Sequence, residues 1–122
     1  MKEYTVALNA EYTVTTDADA LDCEDIAAER IEAALKDKAD EVEVCTIKTY
    51  QRLFGGYNVK MAANMVVDVE ADDYEEAYNS AIDAINGIQY KDGVELVAIG
   101  TYDAALKEDK PFLLKPKFAM YM

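Results

Sequence analysis

A change of hydrophobic period near residue 71 constrains this chain more than any other feature, because it requires a strand that runs almost directly into a helix. Between Tyr57 and Val69 the odd positions Tyr57, Val59, Met61, Ala63, Met65, Val67 and Val69 are all apolar, the period-two pattern of a strand that buries one face. From Tyr74 the apolar residues Tyr74, Ala77, Tyr78, Ala81, Ile82 and Ile85 recur at helical spacing, which predicts an amphipathic helix. Asp72 or Asp73 stands where an N-cap belongs, three residues ahead of Glu75 or Glu76, the spacing of a capping box. Asn86-Gly87 closes the helix, with Gly87 expected at C′.

The same order occurs earlier in the chain. A strand from Tyr4 to Thr16 carries Tyr4, Val6, Leu8, Ala10, Tyr12 and Val14 on one face, and a helix from Leu21 to Lys36 buries Cys23, Ile26, Ala27, Ile31, Ala34 and Leu35. A second strand, Glu41 to Leu53, has apolar residues on both faces, as a bulge or two-sided cover would produce. Phe54-Gly55-Gly56 reads as a hairpin turn. The segment VEVCTIKTY at 42–50 returns as VELVAIGTY at 94–102. Val6/Val59, Ala10/Ala63 and Val14/Val67 match at an offset of 53, and Ala27/Ala81 and Ile31/Ile85 at 54. Duplication accounts for the identities and the element order together, with repeats of about 4–53 and 57–106. Two strand-helix-strand units joined by a hairpin predict an α+β, ferredoxin-like βαββαβ domain over residues 1–106. Its antiparallel sheet is ordered 4-1-3-2, with both helices on one face.

Residues 107–122 fall outside the repeat. Phe112, Leu114, Phe118 and Met120 alternate with other residues, and Pro116 confines any strand there to a sheet edge. This C-terminal tail is expected to dock as an edge strand, on its own sheet or on that of a second copy.

At 122 residues the chain fits one domain. Its two cysteines, Cys23 and Cys45, are too few for a disulfide scaffold, which favours a reducing, cytoplasmic setting. The alternating N-terminus and the lack of a run of ~18 apolar residues predict no signal peptide and no membrane anchor. Histidine is absent, and with it the commonest general base and metal ligand. No phosphate loop or nucleophile elbow is present. Asp17, Asp19 and Asp22 lack the glycine and glutamate of a calcium loop and read as caps. The expectation is therefore a protein that is not an enzyme and takes no cofactor or metal. The sheet face away from the helices is expected to show Thr5, Asn9, Thr13, Cys45, Ile47, Asn58, Lys60, Asn64, Val97 and Ile99. It offers no aromatic for stacking RNA bases, but Ile47, Val97 and Ile99 form an apolar patch there.

The net charge of −13 is concentrated: residues 17–37 carry eight acids and two bases, and residues 68–85 carry seven acids and no base. Both segments are helices with their entry turns, so direct binding to nucleic acid is disfavoured. Asp22, Glu24, Asp25, Glu29, Glu32, Asp72, Asp73, Glu75, Glu76 and Asp83 form the candidate partner-binding set. Two such helices side by side would space charge at ~4 Å, near the ~3.4 Å phosphate spacing of one DNA strand. The alternative is a solvated face whose acids favour the helix dipole in the first turn, an explanation that does not reach Glu29, Glu32, Asp37 or Asp83.

The duplicated YxV...VxxAD...A unit, the small size, the acidity and the absence of His and Trp resemble the short accessory proteins of bacteriophages and other mobile elements, in particular anti-CRISPR-type inhibitors. That resemblance implies a phage-encoded, non-enzymatic inhibitor in the host cytoplasm, whose acidic helix face blocks a basic, nucleic-acid-binding defence protein. The other functions compatible with the sequence are a small-molecule-binding or sequestering oligomer and a structural assembly protein, with a homodimer formed through the sheet face or the tail.

Overall fold

β1 (Lys2–Thr16) and β3 (Tyr57–Ala71) pair antiparallel over their whole length, Lys2 opposite Ala71 and Thr16 opposite Tyr57, in a computed structural model that describes residues 1–115. β2 (Asp40–Gln51) lies outside β3 and β4 (Val94–Leu106) outside β1, so the sheet runs β2-β3-β1-β4 with every neighbour antiparallel. Read from the other edge, this is the 4-1-3-2 order expected from the sequence.

α1 (Cys23–Leu35) and α2 (Tyr74–Asn86) cover one face of this sheet. The alternation in β1 and β3 dictates which face: Tyr4 through Val14 at even positions and Val59 through Val67 at odd positions form one core with Cys23, Ala27, Ile31 and Leu35 of α1 and Ala77, Ala81 and Ile85 of α2. Burying each large aliphatic side chain is worth ~1.5–3 kcal/mol, and the alanines let the helix axes approach the strands. At one end of the core Tyr12 is fully buried. Its hydroxyl lies 2.8 Å from that of Tyr90, which donates in turn to the Ile85 carbonyl at 3.0 Å, so neither phenol is left unpaired. Burial, reinforced by the bond to Tyr90, pushes the Tyr12 phenol far above its ordinary range.

Two glycines hold the loops against the end of β1. Gly56 (φ 77°) closes the β2–β3 hairpin, and a Cβ there would run into the Thr16 carbonyl; Gly93 (φ 80°) precedes β4, and a Cβ there would strike the Thr15 carbonyl. Only glycine meets both the positive φ and the close approach.

Several details depart from the sequence reading. Gly87 is the C-cap of α2 but has φ −78°, so it ends the helix without entering the left-handed region. α1 starts at Cys23 rather than Leu21, because Asp19 organises a turn over Ala20–Asp22. β2 is bulged, with register shifts at Asp40/Glu43 and at Thr46/Lys48. β4 shifts register against β1 twice, and pairing through those bulges turns Leu96 and Ile99 toward the helices, so Ile99 does not join an apolar patch on the other face.

The tail differs most. Lys107–Phe112 forms a 3-10 helix rather than a strand, and the chain then crosses the helix-free face, where Leu113 is buried against Ala7, Val66 and Ala105. Phe112 and Leu114, expected to dock, are 81% and 66% exposed. The crossing is fixed by Leu114 N–H donating to Asp103 and by Lys110 and Lys115 pairing with Glu41. Phe118 and Met120 lie outside the described residues.

Candidate functional site

The entry turn of α1 leaves its acids uncommitted. Asp19 Oδ1 accepts from the N–H groups of Leu21 and Asp22, both at 3.1 Å, and the Asp19 carbonyl accepts from Cys23. Asp22 occupies the N-cap with φ −104° and ψ −17°, a geometry in which its own carboxylate makes no capping bond. Beyond it the buried stripe Cys23, Ala27, Ile31 and Leu35 fixes the rotation of the helix, which places Asp22, Asp25, Glu29 and Glu32 together on the exposed side. Their spacing of three, four and three residues makes one ridge, about 15 Å long with a carboxylate every ~5 Å. Glu24 stands beside the ridge and accepts from the Thr49 hydroxyl of β2 at 3.1 Å.

In α2 the acids serve the helix. Asp73 is an extended N-cap whose Oδ1 accepts from Glu76 N–H at 2.8 Å, while Glu76 Oε2 accepts from Asp72 N–H at 3.0 Å. This is the reciprocal arrangement of a capping box, displaced by one residue. The Asp72 carboxylate lies 3.9 Å from the N-terminal ammonium. Glu75 and Asp83 are exposed on the outer stripe of α2, but Asn79 separates them with a neutral turn.

The two sets do not form one face. Because β1 and β3 are antiparallel, α1 begins at the Thr16 end of the sheet and α2 at the Lys2–Ala71 end. The length of β1, roughly 45 Å at ~3.3 Å per residue, separates those ends. The structure therefore unites Asp22, Asp25, Glu29 and Glu32 and sets Asp72, Asp73, Glu75 and Glu76 apart from them. Two acidic helices side by side, matched along their lengths, are not what the fold presents.

The flank of the ridge is a groove of about 450 Å³ between α1 and the loop after α2, lined by Glu29, Ala33, Asp37, Ile88 and Lys91 among others. Arg30, the cation nearest the ridge in sequence, turns its guanidinium away and donates to the carbonyls of Thr15 at 3.3 Å and Asp92 at 2.9 Å. It ties helix, strand and loop together. Cys45 is half-buried with its thiol pushed up by burial, and Cys23 is buried in the core. Among the described residues no group of three or more His, Cys, Asp or Glu is placed to hold a metal ion, and no helix is long and apolar enough to cross a membrane.

Sequence reasoning placed the acids on the right helices but did not sort them. The i, i+3, i+7, i+10 spacing of Asp22, Asp25, Glu29 and Glu32 places the four on one face, but it does not show that they are free of capping bonds. Compared with protein-family models, curated proteins and solved structures, the chain matches none of them.

Proposed function

We propose that this chain is a non-enzymatic inhibitor that lays the acidic ridge of α1 on a basic, nucleic-acid-binding surface of another protein, the mode of action implied by its resemblance to phage-encoded anti-CRISPR-type proteins. One observation carries the reading. Asp22, Asp25, Glu29 and Glu32 stand exposed in a row, and among the described residues none of them takes part in an ion pair. Like charges at i, i+4, such as Asp25 and Glu29, destabilise a helix by a few tenths of a kcal/mol. Unlike Asp73 and Glu76 of α2, Glu29 and Glu32 lie beyond the first turn, where the helix dipole offers no compensation, and local costs of that kind gather where a surface is used.

We also infer that the fold is a ferredoxin-like duplication. Both helices have thirteen residues, and the pairs Ala27/Ala81 and Ile31/Ile85, matched at an offset of 54, are buried in each. Ala10 and Ala63, equivalent by sequence, lie directly opposite each other in the β1–β3 register. Glu41 (φ 50°) and Gly93 (φ 80°) take positive φ at the same offset of 52 that relates β2 to β4.

The test is partner capture from host lysate at low and high salt, followed by affinity measurement on the purified partner with the Glu29→Lys, Glu32→Lys double variant. Ridge binding should weaken steeply with salt, and the double variant should lose at least about tenfold while its fold is kept. Binding that ignores both changes would remove the ridge and leave the small-molecule or assembly role.

A further inference from the structure

The two free edges of the sheet are chemically unlike. β2 ends one side and carries Asp40, Glu41, Glu43 and Lys48, the charged residues with which natural edges resist pairing. β4 ends the other side, and its thirteen residues contain only Glu95 and Asp103, with an uncharged run from Leu96 to Tyr102. Asp103 is already engaged by Leu114 N–H at 2.8 Å. Along this edge Val97 and Tyr102 are 53% and 48% exposed. Above it, Leu96 and Ile99 of β4 and Tyr78 and Ile82 of α2 are only partly covered by the core they join. Tyr78 lies against Ala104 and Asp103, so helix and strand present one apolar strip. Among the described residues nothing pairs with the outer edge of β4.

We propose that the β4 edge binds the β4 edge of a second copy of this chain, antiparallel about a two-fold axis at Gly100, joining two four-stranded sheets into one of eight. Charge and pleat select that register. An axis at Gly100 sets Ile99 opposite Thr101, Leu96 opposite Ala104, Val94 opposite Leu106 and Glu95 opposite Ala105. Every one of these pairs joins side chains on the same face, as the β1–β4 register assigns them. An axis at Ile99 also respects the pleat but sets Glu95 opposite Asp103 twice, and like charges directly opposite are destabilising. Gly100 has open space where a side chain would be, so the backbones meet freely at the axis. A strip ~30 Å long and ~20 Å high, covering strand and helix, buries about 1,200 Å² in total, the lower bound for a specific interface. An isologous contact of this kind closes on itself and leaves the α1 ridge free in both copies, since α1 begins over the β2 side of the sheet at Thr49.

Sedimentation velocity on the full chain from about 1 to 200 μM, at two salt concentrations, tests this. The expected result is a concentration-dependent dimer that strengthens with salt, because screening relieves repulsion between two copies of net charge −13. Salt therefore acts here in the opposite direction to its effect on ridge binding, and the two ideas fail separately. Ala98→Lys with Thr101→Lys, both at exposed positions, should weaken the dimer at least tenfold without changing the circular dichroism spectrum or the melting temperature of the monomer, while Tyr50→Lys on the β2 edge should leave it intact. A monomer at every concentration, a larger closed or open assembly, or a dimer indifferent to the β4 lysines would each overturn the proposal.

Discussion

α1 and α2 occupy comparable places: thirteen residues each, packed on the same sheet face, with a stripe of small and aliphatic residues turned inward at four-residue intervals. Their acids behave differently. In α2, Asp73 and Glu76 are held in reciprocal bonds to backbone N–H groups, and Asp72 faces the N-terminal ammonium. In α1, capping is delegated to Asp19, three residues before the N-cap, and the acids of the helix itself stand in solvent. Net charge per helix hides this distinction. A carboxylate committed to an N-terminus stabilises the fold and is poorly placed to bind a partner, while an uncommitted one is available.

The comparison first requires that the two helices be equal as structure. Ile31 and Ile85 are both fully buried on the inward stripes of their helices, so Ile31→Ala and Ile85→Ala should each cost about 3–4 kcal/mol in chemical denaturation. A difference between them of more than ~1.5 kcal/mol would mean that one helix is an accessory and that the two do not carry equal shares of the core.

The entries to β2 and β4 come next. Gly93→Ala places a methyl against the Thr15 carbonyl at φ 80° and should cost about 3 kcal/mol, from left-handed strain plus overpacking. Glu41→Gly, 52 residues earlier with φ 50°, should change stability by less than ~1 kcal/mol, because the backbone strain it relieves offsets the added chain entropy and its exposed ion pairs to Lys110 and Lys115 contribute little. Urea midpoints for the two variants check this. Equal losses would show that position 93 is limited by φ alone and not by contact with β1.

How much of this was legible follows from what the sequence encodes locally. Period-two runs in β1 and β3, the change of period into each helix, the glycines of the hairpin and the Asp73/Glu76 cap depend on neighbours within a few residues, and all were readable. The face of Ile99 was not, because it depends on bulges in β4 that arise where two long twisted strands must stay paired. Nor was the path of the tail. Alternation pointed to Phe112 and Leu114, but Pro111 lies inside a 3-10 turn that rotates Leu113 inward instead. Which acids are free depended on a cap placed at Asp19 rather than Asp22, and spacing within the helix cannot report that.

A smaller effect probes the end of the core at Tyr12, where the residue 53 positions on is Met65 rather than a second tyrosine. Tyr12→Phe removes the bond to Tyr90 and should cost about 1 kcal/mol at neutral pH, while Tyr90 keeps the Ile85 carbonyl as its acceptor. Burial raises the folded pKa of Tyr12 above its unfolded value near 10. The protonated phenol is therefore favoured by folding, and its contribution is whole below about pH 10 and falls as pH rises beyond it. Melting temperatures from pH 8 to 11.5 should decline less steeply in the variant than in the parent. Parallel declines would place the alkaline sensitivity elsewhere.

The smallest predicted effect bears most directly on the difference between the helices. Asp73→Ala removes an acceptor 2.8 Å from Glu76 N–H and leaves Glu76 to hold Asp72 N–H alone, so it should cost about 1 kcal/mol. Asp22→Ala, at the same formal N-cap position of α1, removes a carboxylate that makes no capping bond, and should change stability by less than ~0.5 kcal/mol. Its sign is informative as well. If Asp22 serves the helix dipole, its loss destabilises; if repulsion along the ridge to Asp25 dominates, its loss stabilises slightly, and more so at low salt where screening is weak. Paired denaturation curves for both variants at 20 and 500 mM salt measure each term. A loss of ~1 kcal/mol or more at Asp22, independent of salt, would show that α1 uses its first-turn acids as α2 does, and the ridge would begin at Asp25 rather than at the N-cap.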